Sequence, residues 1–158
     1  MEVIDAHLHL FKAVSTAYPR TVYPGMADAE MEVLAEDLLQ VMETANVDKA
    51  IVVPLGPQDE YLSDLRDNFS GRFVGIGNHD PESVNIAEDL DRRMEISGIQ
   101  GIRVSGVDPN ASLTDDPEEY ELFPLFQAME ERGLRVWFYS EPQQVELYEK
   151  VLELLPEL

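Results

Sequence analysis

The sequence has no cysteine, three histidines, one tryptophan and only three lysines (Lys12, Lys49 and Lys150). Each scarcity excludes something. Without cysteine there is no disulfide, no thiol nucleophile and no thiolate metal ligand, and the composition fits a reducing cytoplasm. No apolar run reaches the roughly 18 residues that read as a membrane-spanning helix. The chain enters a strand-like segment at Val3, with an acid already at Asp5, so no secretory leader is expected. Basic charge is scarce as well: 11 Lys and Arg stand against 32 Asp and Glu, for a net charge of -21. Phosphate backbones and anionic lipids are bound by clustered Lys and Arg, so neither a nucleic acid nor a membrane surface is an expected partner. Acid-rich, lysine-poor chains suit salt-loving cells, where salt screens self-repulsion; an ordinary acidic cytosolic protein looks the same, and both readings stand.

Two of the three histidines fall in one short segment, Ile4-Asp5-Ala6-His7-Leu8-His9-Leu10-Phe11. The segment alternates with period two, which predicts a strand with Ile4, Ala6, Leu8 and Leu10 on one face and Asp5, His7 and His9 on the other. Residues i and i+2 of a strand lie about 6.5–7 Å apart on the same side. Two imidazoles so placed can converge on one divalent cation or one substrate atom, and zinc-like metals favour such pairs. A hydrolytic site is therefore the leading reading. The alternative is an exposed β-edge that happens to carry two histidines.

At 158 residues and 44% hydrophobic, the chain is expected to be one domain, residues 1–158, with a real core. Five strand-like segments alternate with helical ones: Val3–Leu10, Lys49–Pro54, Phe73–Asn78, Ile99–Ser105 and Leu134–Tyr139. Helices are expected over Ala29–Ala45, capped by Asp28; over Glu60–Phe69; from Asp80-Pro81 to Gly98; from Asp116-Pro117 to Gly133, with a break at Pro124; and from Ser140-Glu141-Pro142 to Leu155. This order predicts a parallel sheet with right-handed crossovers. An open doubly wound sheet and the first five units of a (β/α)8 barrel both satisfy it. No G-x-G-x-x-G follows the first strand, so a dinucleotide site has no support. The long loop Lys12–Ala27 carries Tyr18, Arg20 and Tyr23, which could cover a small polar substrate or belong to a mobile surface loop. Arg103 alternates with Ile102 and Val104, which points it, with Ser105, away from the helices; it would meet a substrate carboxylate or a structural acid such as Asp5.

The segment from Ile4 to Phe11 resembles the first-strand signature of the amidohydrolase-related family of TIM-barrel hydrolases, the branch that includes dicarboxylate lactonases and metal-dependent decarboxylases. Lys49-Ala50-Ile51-Val52-Val53-Pro54, Phe73-Val74-Gly75-Ile76-Gly77-Asn78 and Gly98-Ile99-Gln100-Gly101-Ile102-Arg103-Val104 are similar to the strands that follow, and Glu131-Arg132-Gly133-Leu134-Arg135-Val136-Trp137 to the fifth unit. The resemblance implies a partial barrel whose His7 and His9 are ligands of a divalent ion, zinc or similar. It implies a small carboxylated substrate contacted by Arg103, Ser105 and Tyr139. The reaction would be hydrolysis of a lactone, ester or amide, or a decarboxylation. Metal-dependent relatives carry a histidine where Tyr139 stands here, which leans toward the lactonase-like branch. The family's general-base aspartate belongs to strand eight, beyond Leu158. His79 reads either as a pocket residue or as a helix-entry residue. The rival reading is an inactive partial barrel that serves as a binding or assembly module. Both readings leave two open sheet edges, so a homo-oligomer, most simply a two-fold dimer, is expected.

Overall fold

Each of the five apolar segments forms a strand, and each strand is followed by a helix. The computed structural model describes all residues, Met1–Leu158. Its elements are β1 (Ile4–Leu8), α1 (Ala35–Ala45), β2 (Lys49–Val52), α2 (Asp59–Asn68), β3 (Phe73–Asn78), α3 (Ile86–Ser97), β4 (Gly101–Val104), α4 (Phe123–Glu131), β5 (Arg135–Phe138) and α5 (Pro142–Leu154). The strands pair in sequence order, β1-β2-β3-β4-β5, and every adjacent pair is parallel. A doubly wound sheet would reverse direction at a switch point; unbroken order is barrel connectivity. The fold is the partial (β/α)8 barrel expected from the sequence. No helix is long and apolar enough to cross a membrane.

The core lies between the sheet and its helices. Val52, Ile102 and Val104 meet Leu62, Leu65, Leu90, Phe126, Met129 and Val151 in one buried cluster, with Val136 and Phe138 packed against it. Phe138 stacks on Tyr148 of α5 at 4.5 Å between ring centroids. These residues sit on one side of their strands, so the residues between them, Arg103 and Trp137, face the opposite, concave side.

Strand one departs from its expected pattern. Asp5 pairs with Ala50 but Leu8 pairs with Val52, so β1 holds one extra residue between two ladder positions. The His7 backbone N–H, freed by the slip, donates instead to the Asp5 carboxylate at 3.1 Å. The slip breaks the period-two alternation. Ile4 is consequently 48% exposed rather than packed, while Leu10 is fully buried. β1 is also a sheet edge, as the alternative reading of the histidine pair had it.

Three helix starts differ from expectation. The first begins at Ala35, not Ala29, because Val33 is extended and bridges antiparallel to Phe11. Asp28 caps nothing; the Ala35 N–H donates to the Tyr61 hydroxyl of α2 at 3.1 Å. The third begins at Ile86 behind an Asn85 cap, since Asp80 closes a local turn on the Glu82 N–H. Asp116-Pro117 opens only a three-residue 3-10 turn. Pro124 does not break the fourth helix but opens it, in the first turn where its missing N–H costs nothing.

Candidate active site on the concave face

A flat sheet would set β1 and β5 four strand spacings apart, about 19 Å at about 4.8 Å each. Instead the Trp137 indole Nε1–H of β5 donates to His7 Nδ1 of β1 at 3.0 Å. The sheet therefore curls until its first and last strands share one concave face. Across that face the ladder register sets Asn78 beside Arg103 and Arg103 beside Trp137. His7 closes the row. The His7 and His9 rings lie edge to face, 4.9 Å between centroids. The two residues that the sequence placed on one face are thus together, although the slip in β1 lies between them and the start of the strand.

His9 donates from Nδ1 to the Val53 carbonyl oxygen at 2.7 Å. The Asn78 amide holds the same turn, donating to the Pro54 and Gly56 carbonyls at 3.0 and 2.8 Å. Arg103 lies over the Tyr139 ring at 4.9 Å and forms no ion pair with Asp5 or any other acid. Its guanidinium is the positive charge of a cleft of about 790 Å³ whose walls include Asn78, His79, Ser105, Tyr139 and Gln144. Asp108, Glu121 and Glu141 also line it, so its walls carry more negative than positive charge and Arg103 is the one group there that can hold an anion. Loss of solvation, then the neighbouring His9 and Arg103, hold His7 below the usual histidine value, with Asp5 acting the other way.

The remaining candidates separate. His79 is half-buried and lines both this cleft and a second one of about 210 Å³, at the end of β3 where the chain leaves for α3. Arg20 does not reach the site: its guanidinium is turned into its own loop, onto the Ala27 and Asp28 carbonyls at 2.6 and 2.7 Å. Tyr23 is exposed and away from these walls. Trp137 and Asn78 were not foreseen as site residues. The signal for Trp137 was its i, i+2 spacing to Tyr139 on a strand whose other face is apolar.

As placed, these groups do not fit a divalent ion. No third histidine or acid joins His7 and His9. A ring nitrogen ligates through its lone pair, and the His7 Nδ1 lone pair is taken by Trp137.

A family model described as Amidohydrolase matches residues 4–158. No curated protein matches the chain. Among solved structures, a probable 2-pyrone-4,6-dicarboxylic acid hydrolase from Acinetobacter baumannii with citric acid bound aligns at a TM-score of 0.65 and 16% identity, over 99% of this chain and 54% of its own. A 2,6-dihydroxybenzoate decarboxylase from Rhizobium aligns at 0.68 and 13%, over 100% and 65%. A 5-carboxyvanillate decarboxylase from Novosphingobium aromaticivorans with bound manganese aligns at 0.60 and 15%, over 87% and 50%. The chain thus spans about half to two-thirds of the length of these structures.

Proposed function

The chain belongs to the amidohydrolase family, and on that premise we propose that its concave face is the first-to-fifth-strand half of an enzyme active site for a small carboxylated metabolite. The reaction class is hydrolysis of a lactone, ester or amide, or decarboxylation. The observation that carries this reading is the row Asn78–Arg103–Trp137–His7, which the curled sheet gathers from β3, β4, β5 and β1. An inert assembly module gives that row no role.

Arg103 binds the carboxylate. Its planar fork of donors matches two carboxylate oxygens, and Tyr139 beneath it fixes the plane. Ser105, on the same cleft wall, offers a hydroxyl to the substrate. The Val53 carbonyl fixes the His9 ring and His7 stands beside it, on the same concave face as Arg103; in this reading the free ring nitrogen of His9 meets the substrate. By their own descriptions, similar solved structures hold citric acid, 2,6-dihydroxybenzoate and, together with manganese, 3-methoxy-4-hydroxy-5-nitrobenzoic acid, which supports a site for a small carboxylate. The divalent ion implied by the sequence would need His7 released from Trp137 and further ligands, so no step is routed through it.

The test is an assay of the longest reading frame that contains this segment, against pyrone and aromatic dicarboxylates, following lactone opening and carbon dioxide release. Turnover that collapses in Arg103→Ala and His9→Asn supports the reading. Turnover indifferent to both substitutions, or none with any lactone or carboxylate, overturns it.

A further inference from the structure

Indole Nε1 can only donate a hydrogen bond and a backbone carbonyl can only accept one. His7 Nδ1, which faces the Trp137 indole N–H at 3.0 Å, must therefore be an unprotonated acceptor. His9 Nδ1, which faces the Val53 carbonyl at 2.7 Å, must be a protonated donor. A neutral imidazole carries one proton, so the partner of each fixes the far nitrogen of the ring. We infer that Trp137 and the Val53 carbonyl hold the two neighbouring histidines in opposite tautomers: His7 presents Nε2–H, and His9 presents a bare Nε2.

The pair is then not two lone pairs awaiting a cation but one donor and one acceptor, in rings 4.9 Å apart. The ligand group that matches such a pair is a single hydroxyl or water oxygen. Its lone pair takes the His7 N–H, and its own proton goes to His9 Nε2. With Arg103 charged on the same face, the ligand class narrows to a carboxylate that also carries a hydroxyl, or a carboxylate with an ordered water beside it. This deepens the proposed function and rests on it for the substrate. The tautomers themselves stand on hydrogen-bond partners alone. Trp137 acts here as a positioning residue, working through His7.

The consequence for metals follows directly. A cation held by both rings needs a lone pair from each, and the one lone pair of His7 is occupied by the indole, so the indole bond must break first. Removing the indole donor lifts that barrier.

The experiment uses the whole chain and two readouts that involve no turnover. Heteronuclear NMR at mildly alkaline pH reads the tautomers from the ring-nitrogen shifts. The expected result is Nε2–H for His7 and Nδ1–H for His9. Calorimetric titration with zinc alone then compares wild type with Trp137→Phe, whose folding is checked by circular dichroism. Zinc should bind the variant more tightly than the wild type, because the His7 lone pair is no longer taken by an indole donor. Should Trp137→Phe fail to fold, the indole N–H proton shift, read from the one tryptophan of the chain, replaces it: it should move upfield in His7→Phe. A His7 Nδ1–H tautomer, equal zinc affinity in both proteins, or an indole shift that ignores His7 overturns the inference. None of these outcomes bears on whether the protein catalyses a reaction, so failure here leaves the proposed function to its own assay.

Discussion

The Arg93 guanidinium of α3 lies fork to fork with the Asp59 carboxylate of α2, Nε to Oδ2 at 2.6 Å and Nη2 to Oδ1 at 3.0 Å. Arg93 is buried and Asp59 partly so, and Gly77 of β3 leaves the space: a Cβ at that position would run into the Arg93 head. Asp89 adds a weaker contact at 3.7 Å. Breaking such a pair strands a buried charge, whereas replacing both partners with apolar groups can be neutral. Asp59→Ala should therefore cost about 3–5 kcal/mol in urea unfolding. Asp59→Leu combined with Arg93→Met should recover most of it. A single substitution that leaves the midpoint unmoved would show that the pair holds nothing.

Tyr61 does for the first helix what the sequence assigned to Asp28. Losing its hydroxyl leaves the Ala35 N–H, a buried donor, without a partner. Tyr61→Phe should destabilise by about 1–3 kcal/mol, the cost of one buried unmet donor. Asp28→Ala should shift the unfolding midpoint little. The reverse ranking would return the cap to Asp28.

Burial holds His79 below the ordinary histidine value; Asp80 and Glu121 oppose it, and Arg93 reinforces it. The unfolded chain takes up this proton near pH 6.5 (about the free-histidine value), the folded chain only at lower pH. Between the two, the unfolded state holds more protons, so stability rises with pH there. The contribution is complete above about pH 6.5 and is lost as pH falls through the folded value. His79→Gln should flatten that limb of a denaturant-midpoint profile, leaving the acid limb of the carboxylates. A limb unchanged in the variant would exclude His79 as its source.

Arg103→Lys keeps the charge and loses the fork. Citrate serves as a probe of the cleft, and its affinity should fall about ten-fold in calorimetry, a bidentate contact reduced to a point charge. Tyr139→Leu, which removes only the ring beneath the guanidinium, should fall less. Equal affinity in all three proteins would take Arg103 out of recognition.

β1 and β5 each leave one side unpaired, and Ile4 and Val3 are exposed along the first of them. We expect these edges to be covered by a second copy. A net charge of -21 opposes association, so the assembly should tighten as salt rises. Light scattering across a salt series checks this. A monomer at every salt concentration, with cooperative unfolding, would show five βα units to be self-sufficient.

Strand positions were legible because buried parallel strands carry dense, short apolar runs; their order was not, since a doubly wound sheet and a barrel share that pattern, and only the family resemblance favoured the barrel. The third strand, Phe73–Asn78, matches to the residue. The ends of helices were less legible, since tertiary partners chose them: Phe11 pulled Val33 into a bridge, and Tyr61 capped from another helix. At the site, period two was enough to point Arg103 away from the core. It could not foresee the extra residue in β1, because a register slip is decided by the neighbouring strand and not by the slipped one. Nor could it foresee Trp137 against His7, residues 130 positions apart whose meeting depends on how far the sheet curls.

That same slip in β1 bears on a hazard of open sheets. Copies joined with β5 of one against β1 of the next make a head-to-tail contact, which grows into a fibre wherever the rotation does not close a ring. A strand with an inserted residue bends and twists away from a straight ladder, and such edges resist templated growth. The irregularity in β1 thus makes that edge a poorer template, and straightening it is expected to favour edge-to-edge association.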